Sequence, residues 1–201
     1  IEHTHPLAVD PSQERQEYFD WLMGFCTAAG ERHGGCFALQ DPTSKKLVAA
    51  TVTFPPNDRH LHNPGICVQW NAVKQTGGFM QMPWSTLNGP TGQKLDVADV
   101  IMKKAHTENA PGRHLYVQVF ATSPEHQGKG YGSKLMQFLV DSADHMKVDA
   151  YLETCGSKNE TYYSKFGYTV SKRYPIEFNG RRYLPDGMDG MAACVRKVEV
   201  C

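Results

Sequence analysis

The 201-residue chain predicts a mixed α/β domain, a central sheet carrying helices on its faces. Three observations lead there. Segments of helical period alternate with β-branched runs instead of segregating into blocks. The C-terminal half reads strand, glycine-bearing loop, amphipathic helix, strand, short helix and strand. The length suits one domain over 1–201, and 40% hydrophobic residues supply one sizeable core.

Asp10-Pro11 opens the first helix, an N-cap followed by proline in the first turn. Tyr18, Phe19, Leu22, Met23, Cys26 and Ala29 recur at helical spacing, and Gly30 ends it. Cys36 to Gln40, a turn at Asp41-Pro42-Thr43-Ser44, and Leu47 to Phe54 read as a β-hairpin, stopped by Pro55-Pro56. From Asn57 to Lys94 no period persists, so an irregular insertion is expected. It carries Trp70, Phe79, Met80, Met82 and Trp84, and a loop this long usually serves function, here as a wall for a substrate. The plainer reading is that its aromatic rings cover an exposed sheet face.

Leu95, Ala98, Met102 and Ala105 mark a helix ending before Pro111-Gly112. His114 to Thr122 is a strand, and the loop from Pro124 to Gly132 runs directly into a helix striped by Tyr131, Leu135, Phe138, Leu139, Ser142 and Met146. Ala150 to Thr154 is a strand, Asn159 to Lys165 a short helix, and Tyr168 to Tyr174 a strand. Asn179-Gly180 is a hairpin turn, and Met191 to Val198 closes the fold.

Composition excludes several function classes. Lys plus Arg and Asp plus Glu are both 21, so there is no cationic surplus for gripping nucleic acid. The longest apolar stretch, Leu47 to Phe54, falls far short of the ~20 residues of a membrane span. The cysteines at 26, 36, 67, 155, 194 and 201 show no CxxC spacing and read as buried free thiols of a reducing compartment, so a cytoplasmic location is expected. His60-Leu61-His62 lacks a nearby Cys pair, and no metal is expected. The chain opens on Ile1 rather than Met, which suggests a missing or cleaved natural N-terminus, and no signal-like run is visible.

The most informative stretch is Gln127-Gly128-Lys129-Gly130-Tyr131-Gly132, between a strand and an amphipathic helix. Backbone N–H groups at a helix N-terminus meet the positive end of the helix dipole, and glycines let an anion approach the main chain. This spells a phosphate or pyrophosphate cradle. It has neither the GxxxxGK[ST] of a P-loop nor the GxGxxG of a dinucleotide fold.

The segment from His114 to Gly132 resembles motif A of the GNAT superfamily of N-acetyltransferases, whose [Gln/Arg]-x-x-Gly-x-[Gly/Ala] core is met by Gln127, Gly130 and Gly132. Leu152-Glu153-Thr154, Asn159 and Tyr163-Ser164-Lys165-Phe166-Gly167-Tyr168 resemble the family's second motif. The likeness is firm over about 112 to 170 and loose over the Cys36 to Phe54 hairpin. It implies a mostly antiparallel sheet, splayed at the motif-A strand, and a first strand for which only Ile1 to Val9 is available.

The resemblance further implies an acetyl-CoA-dependent acyltransferase. Phe120, Ala121 and Thr122 would give main-chain contacts to the pantetheine arm, with an N–H near Thr122 as oxyanion donor. Gln127, Gly128, Lys129, Gly130, Tyr131 and Gly132 would bind the pyrophosphate, and Asn159 would hold the pantetheine arm or the turn after Thr154. Tyr163, by family position, would protonate the departing thiolate, against the plainer reading of an aromatic packing residue.

The general base is less defined. Glu153 ends its strand beside the splay, where a carboxylate or its bound water accepts an ammonium proton, or it is an exposed or structural acceptor. His114 titrates near the right range but starts its strand, away from the thioester. The acceptor would be a small-molecule or peptide amine, with no nucleic acid or membrane partner and no oligomeric state specified. A non-catalytic acyl-CoA-binding module of the same fold is the alternative, and it has no need of Tyr163.

Overall fold

The computed structural model describes residues 13–32, 35–56, 66–182 and 190–198. The Ile1 to Val9 segment, the Asp10-Pro11 cap and the His60-Leu61-His62 pair lie outside them. The elements in chain order are α1 (Gln13–Arg32), β1 (Cys36–Gln40), β2 (Leu47–Phe54), α2 (Ile66–Gln75), α3 (Trp84–Leu87), α4 (Pro90–Asn109), β3 (His114–Thr122), α5 (Tyr131–His145), β4 (Asp149–Thr154), α6 (Ser157–Ser164), β5 (Thr169–Tyr174), β6 (Glu177–Phe178), β7 (Arg181–Arg182) and β8 (Met191–Arg196).

Six strands form one sheet in the order β1-β2-β3-β4-β8-β5, in which β3–β4 is the parallel pair and the other neighbours are antiparallel. The last strand in sequence therefore inserts between β4 and β5. Asn179 and Gly180, both at positive φ, turn β6 into β7 as a separate two-stranded ribbon.

Each face of the sheet carries its own core. On one, Val52, Phe54, Tyr116 and Tyr151 pack against Ala28 and Ala29 of α1 and Ala105 of α4. On the other, Leu115, Val117, Leu152 and Cys194 meet Met136, Leu139, Val140 and Ala143 along the apolar stripe of α5. Burial of such side chains stabilises by roughly 1.5–3 kcal/mol for each large aliphatic or aromatic one. Among the described residues no helix is long and apolar enough to cross a membrane, and no group of three or more His, Cys, Asp or Glu is placed to hold a metal ion.

The stretch expected to be irregular is mostly helical where it is described. α2 and α3 precede α4, which starts at Pro90 rather than Leu95. Gly77, Gly78, Pro83 and Gly89 interrupt the apolar period without preventing helix. Pro90 occupies the first turn of α4, where its missing N–H costs nothing. The aromatic side chains do not cover a sheet face. Trp70 and Trp84 both contact Phe79, all three stay about half exposed, and Trp84 Nε1 donates to the Phe79 carbonyl. Five described cysteines (26, 36, 67, 155 and 194) are free thiols, but Cys67 is exposed rather than buried.

Candidate active site

The site begins where a strand ladder stops. β3 and β4 pair only through His114–Asp149, Leu115–Ala150 and Tyr116–Tyr151. Beyond these, β3 remains paired with β2 and β4 with β8, so the two strands part. A bulge coincides with the parting: Val52 faces Val119 and Thr53 faces Val117, leaving Gln118 as the extra residue of β3. Bulges bend a strand and raise its twist, which swings the end of β3 away from its neighbour. Phe120, Ala121 and Thr122 are thereby paired along one edge with Thr51, Ala50 and Ala49, and their other edge faces the opening.

At the mouth of the opening, β3 passes through a 3-10 turn into the loop before α5. Gly128 and Gly130 take φ of 77° and 82°, and a Cβ at either would meet nothing within 4 Å, so this face of the loop is open. Gly132 is a glycine for a different reason. A Cβ there would lie 2.8 Å from Thr122 Oγ1 and 3.2 Å from the Tyr162 hydroxyl oxygen. Lys134 N–H is the first of the α5 turn to reach a carbonyl, that of Gly130 at 3.0 Å. The N–H groups of residues 128 to 133 donate to no backbone acceptor among the described residues. A row of free donors at the positive end of a helix dipole fits a diphosphate. Gln127 Nε2 reaches back to the Thr122 carbonyl at 3.4 Å, joining the loop to the strand end.

Two side chains flank the opening from opposite faces. Glu153 is opposite Ala193 on the α1–α4 face and accepts the Tyr116 hydroxyl at 2.9 Å on Oε2. Tyr163, on α6, packs into the α5–α6 core, its ring edge-on to Phe120 at 6.4 Å and 6.1 Å from Tyr168. Burial raises its hydroxyl pKa to about 12, so it is a protonated donor at neutral pH. Burial also pushes the nearby thiol of Cys194 up to about 12.

Two of the expected ligand-binding residues have side chains engaged within the chain. Asn159 is not the N-cap of α6, a position held by Gly156; its Nδ2 donates to the Cys155 carbonyl at 2.9 Å and fixes the turn after β4. The Tyr131 hydroxyl donates to Asp41 Oδ2 at 2.5 Å, tying the start of α5 to the β1–β2 turn. The Ser44 N–H, the Tyr131 hydroxyl and the Thr43 N–H hold the Asp41 carboxyl well below the usual carboxylate range. His114 is engaged away from the opening, with Nε2 2.6 Å from His106 Nε2. Lys129 is exposed on the loop.

Asp41, Tyr116 and Tyr162 escaped the sequence reading. Asp41 read as a turn former, and nothing in the spacing joins it to a helix 90 residues later. Tyr116 is one member of an alternating strand, and only the pairing register puts it beside Glu153. Tyr162 has a buried hydroxyl beside Ser133 and Gly132, without a hydrogen bond of good geometry among the described residues.

Residues 92–170 match the family model described as acetyltransferase (GNAT) domain. Several solved structures share the architecture over nearly the whole chain. The polyamine N-acetyltransferase of Drosophila melanogaster is 15% identical, covering 96% of this chain and 87% of its own, with TM-score 0.57. A mosquito arylalkylamine N-acetyltransferase-like protein is 13% identical over 96% and 85%, with TM-score 0.56. The C-terminal condensation domain of Ebony, solved with β-alanyl-dopamine, is 11% identical over 96% and 84%, with TM-score 0.61. At these identities the likeness speaks for the fold. The match to the GNAT acetyltransferase domain covers the segment that holds most of α4, β3, the glycine loop, α5, β4 and α6. The chain is thus similar over that segment to the GNAT acetyltransferase domain, and over nearly its whole length it shares the fold of these structures.

Proposed function

We propose that the chain transfers an acetyl group from acetyl-CoA directly to a small-molecule or peptide amine. The observation that carries this is the continuity of the opening: a row of free N–H donors, an unpaired strand edge, and Glu153 and Tyr163 on its two faces. Acetyl-CoA would supply the activated thioester. Residues 128 to 133 would hold its diphosphate, and the free edge of Phe120, Ala121 and Thr122 would pair with the amides of its arm.

Glu153 accepts the proton of the incoming ammonium, directly or through a water. Tyr163 donates to the departing sulfur. In water a thiol ionises near 8.5, and a phenol at about 12 would be a poor acid towards its thiolate. Both groups would meet in the same desolvated gap, where charge on the sulfur is disfavoured as charge on the phenol is, and the mismatch narrows. An N–H near Thr122 would face the oxyanion.

Balanced charge favours a small amine over a strongly cationic polymer. Polyamine and arylalkylamine acetyltransferases of the same fold give the first acceptors to try. Free thiols at five described positions support a reducing, cytoplasmic setting. The test is thiol release from acetyl-CoA against polyamines, arylalkylamines, aminoglycosides and peptides. Acceptor-dependent release supports transfer. Tight acetyl-CoA binding without release for any acceptor would overturn it in favour of a binding module.

A further inference from the structure

We propose that Tyr116 is a positioning residue for Glu153, a tie across the mouth of the splay that holds the carboxylate in place and favours its ionised form. The inference rests on the reading of Glu153 as proton acceptor. Tyr116 and Tyr151 are the last facing pair of the β3–β4 ladder, and Glu153 lies two residues further along β4. The 2.9 Å bond from the Tyr116 hydroxyl to Glu153 Oε2 therefore joins the strands just where their backbone pairing ends. Tyr116 is 2% exposed, so bulk water does not compete for its hydroxyl. Burial holds that hydroxyl protonated far above neutral pH, and it acts towards Glu153 only as a donor.

The surroundings reinforce this asymmetry. From β4 the Tyr151 hydroxyl also lies beside Glu153, and from β8 the Cys194 thiol is within electrostatic range. From α4 the His106 ring lies edge-on to Tyr116 at 4.4 Å and tilted against Tyr151 at 4.8 Å. His106 Nε2 faces His114 Nε2 at 2.6 Å, and His114 Nδ1 is 2.7 Å from the Gly112 carbonyl. With Nδ1–H donating to that carbonyl, His114 Nε2 accepts the His106 proton. A further proton would set two N–H groups against each other, and burial lowers the His114 pKa.

Donation to a carboxylate lowers its pKa, so removing the donor raises it. Tyr116→Phe should move the acid limb of kcat to higher pH and lower kcat below the limb by about 10- to 100-fold, the usual strength of a hydrogen bond to a charged group. The acetyl-CoA Kd should not change. The ring and its packing remain, so the variant should fold. In Glu153→Gln the same substitution should have no further effect on kcat. Losses that simply multiply in the double variant would overturn the inference and leave Tyr116 a packing residue. So would an unmoved acid limb in Tyr116→Phe when Glu153→Gln alone is slow. Full activity in Glu153→Gln would instead overturn the reading of Glu153 itself.

Discussion

Glu153 and Tyr163 stand on opposite faces of the sheet at the opening between β3 and β4, the first bonded to Tyr116 and the second packed against Phe120. In the proposed transfer this separation would let Glu153 serve the incoming amine and Tyr163 the departing sulfur at the same time. Each prediction below addresses one part of that arrangement.

Tyr162 and Tyr163 are neighbours in sequence with rings 5.2 Å apart, and the same substitution should affect them oppositely. Tyr163→Phe should cut kcat by ~10²- to 10⁴-fold, the usual range for a general acid, with little change in acetyl-CoA Kd. Tyr162→Phe should leave kcat near wild type and stabilise the protein by roughly 1 kcal/mol, since it removes a buried hydroxyl that lacks a good partner. Steady-state kinetics with thermal unfolding of both variants checks the pair. Similar kcat in the two would remove the acid role from Tyr163.

The cradle glycines should fail by different routes. Gly130→Val forces a branched side chain into φ of 82°, so the loop should distort and acetyl-CoA affinity should fall at least tenfold in a folded protein. Gly132→Ala places a methyl 2.8 Å from Thr122 Oγ1, an overpacking that should cost roughly 1–3 kcal/mol of stability as well as affinity. Calorimetric titration and denaturant unfolding separate the two effects. Wild-type affinity in folded Gly130→Val would remove the cradle.

The Tyr131–Asp41 bond should matter for binding rather than for turnover. Tyr131→Phe and Asp41→Asn should each weaken acetyl-CoA binding several-fold, and the double variant should be no worse than the poorer single one, because both break the same tie. Kd values from the four proteins of the cycle check it. Additive losses would mean the two side chains act independently.

Stability should decline on the alkaline side. Burial raises the thiol of Cys155 to about 11, those of Cys26 and Cys194 to about 12, and the Tyr18 and Tyr163 hydroxyls to about 12. A raised folded pKa gives stability that is complete below the unfolded value and lost as pH climbs towards the folded one. For the thiols the loss therefore begins near pH 9 and for the tyrosines near pH 10. Each buried thiol contributes at most ~1.4 kcal/mol of loss per pH unit, several kcal/mol in total by about pH 11. Urea unfolding under reducing conditions across that range checks it, and a flat profile would contradict the burial of these groups.

The legible parts of the fold were those written in local spacing. β1, β2 and β3 begin and end where their apolar or β-branched runs and the flanking turn residues place them. The glycine loop at the start of α5, with its free N–H groups, could be read as well, because donor geometry at a helix start depends on a few consecutive residues. The helices of 66–94 could not, since they are short, share burial among several neighbours, and show no lasting period of their own.

By itself the sequence determined the alternation of strands and helices and the glycine loop from Gln127 to Gly132, and its family resemblance singled out Tyr163 as a candidate beside Glu153. Tertiary structure decided which strands touch. Inserting β8 beside β4 and ending the β3–β4 ladder at Tyr116–Tyr151 are long-range pairings, set by burial on two faces and invisible to local period. The β3–β4 register brings the Tyr116 hydroxyl to Glu153, 37 residues away, and the β1–β2–β3 pairing with the packing of α5 brings Tyr131 to Asp41, 90 residues away. Hydrogen bonds act over about 3 Å, so only the folded chain can select their partners.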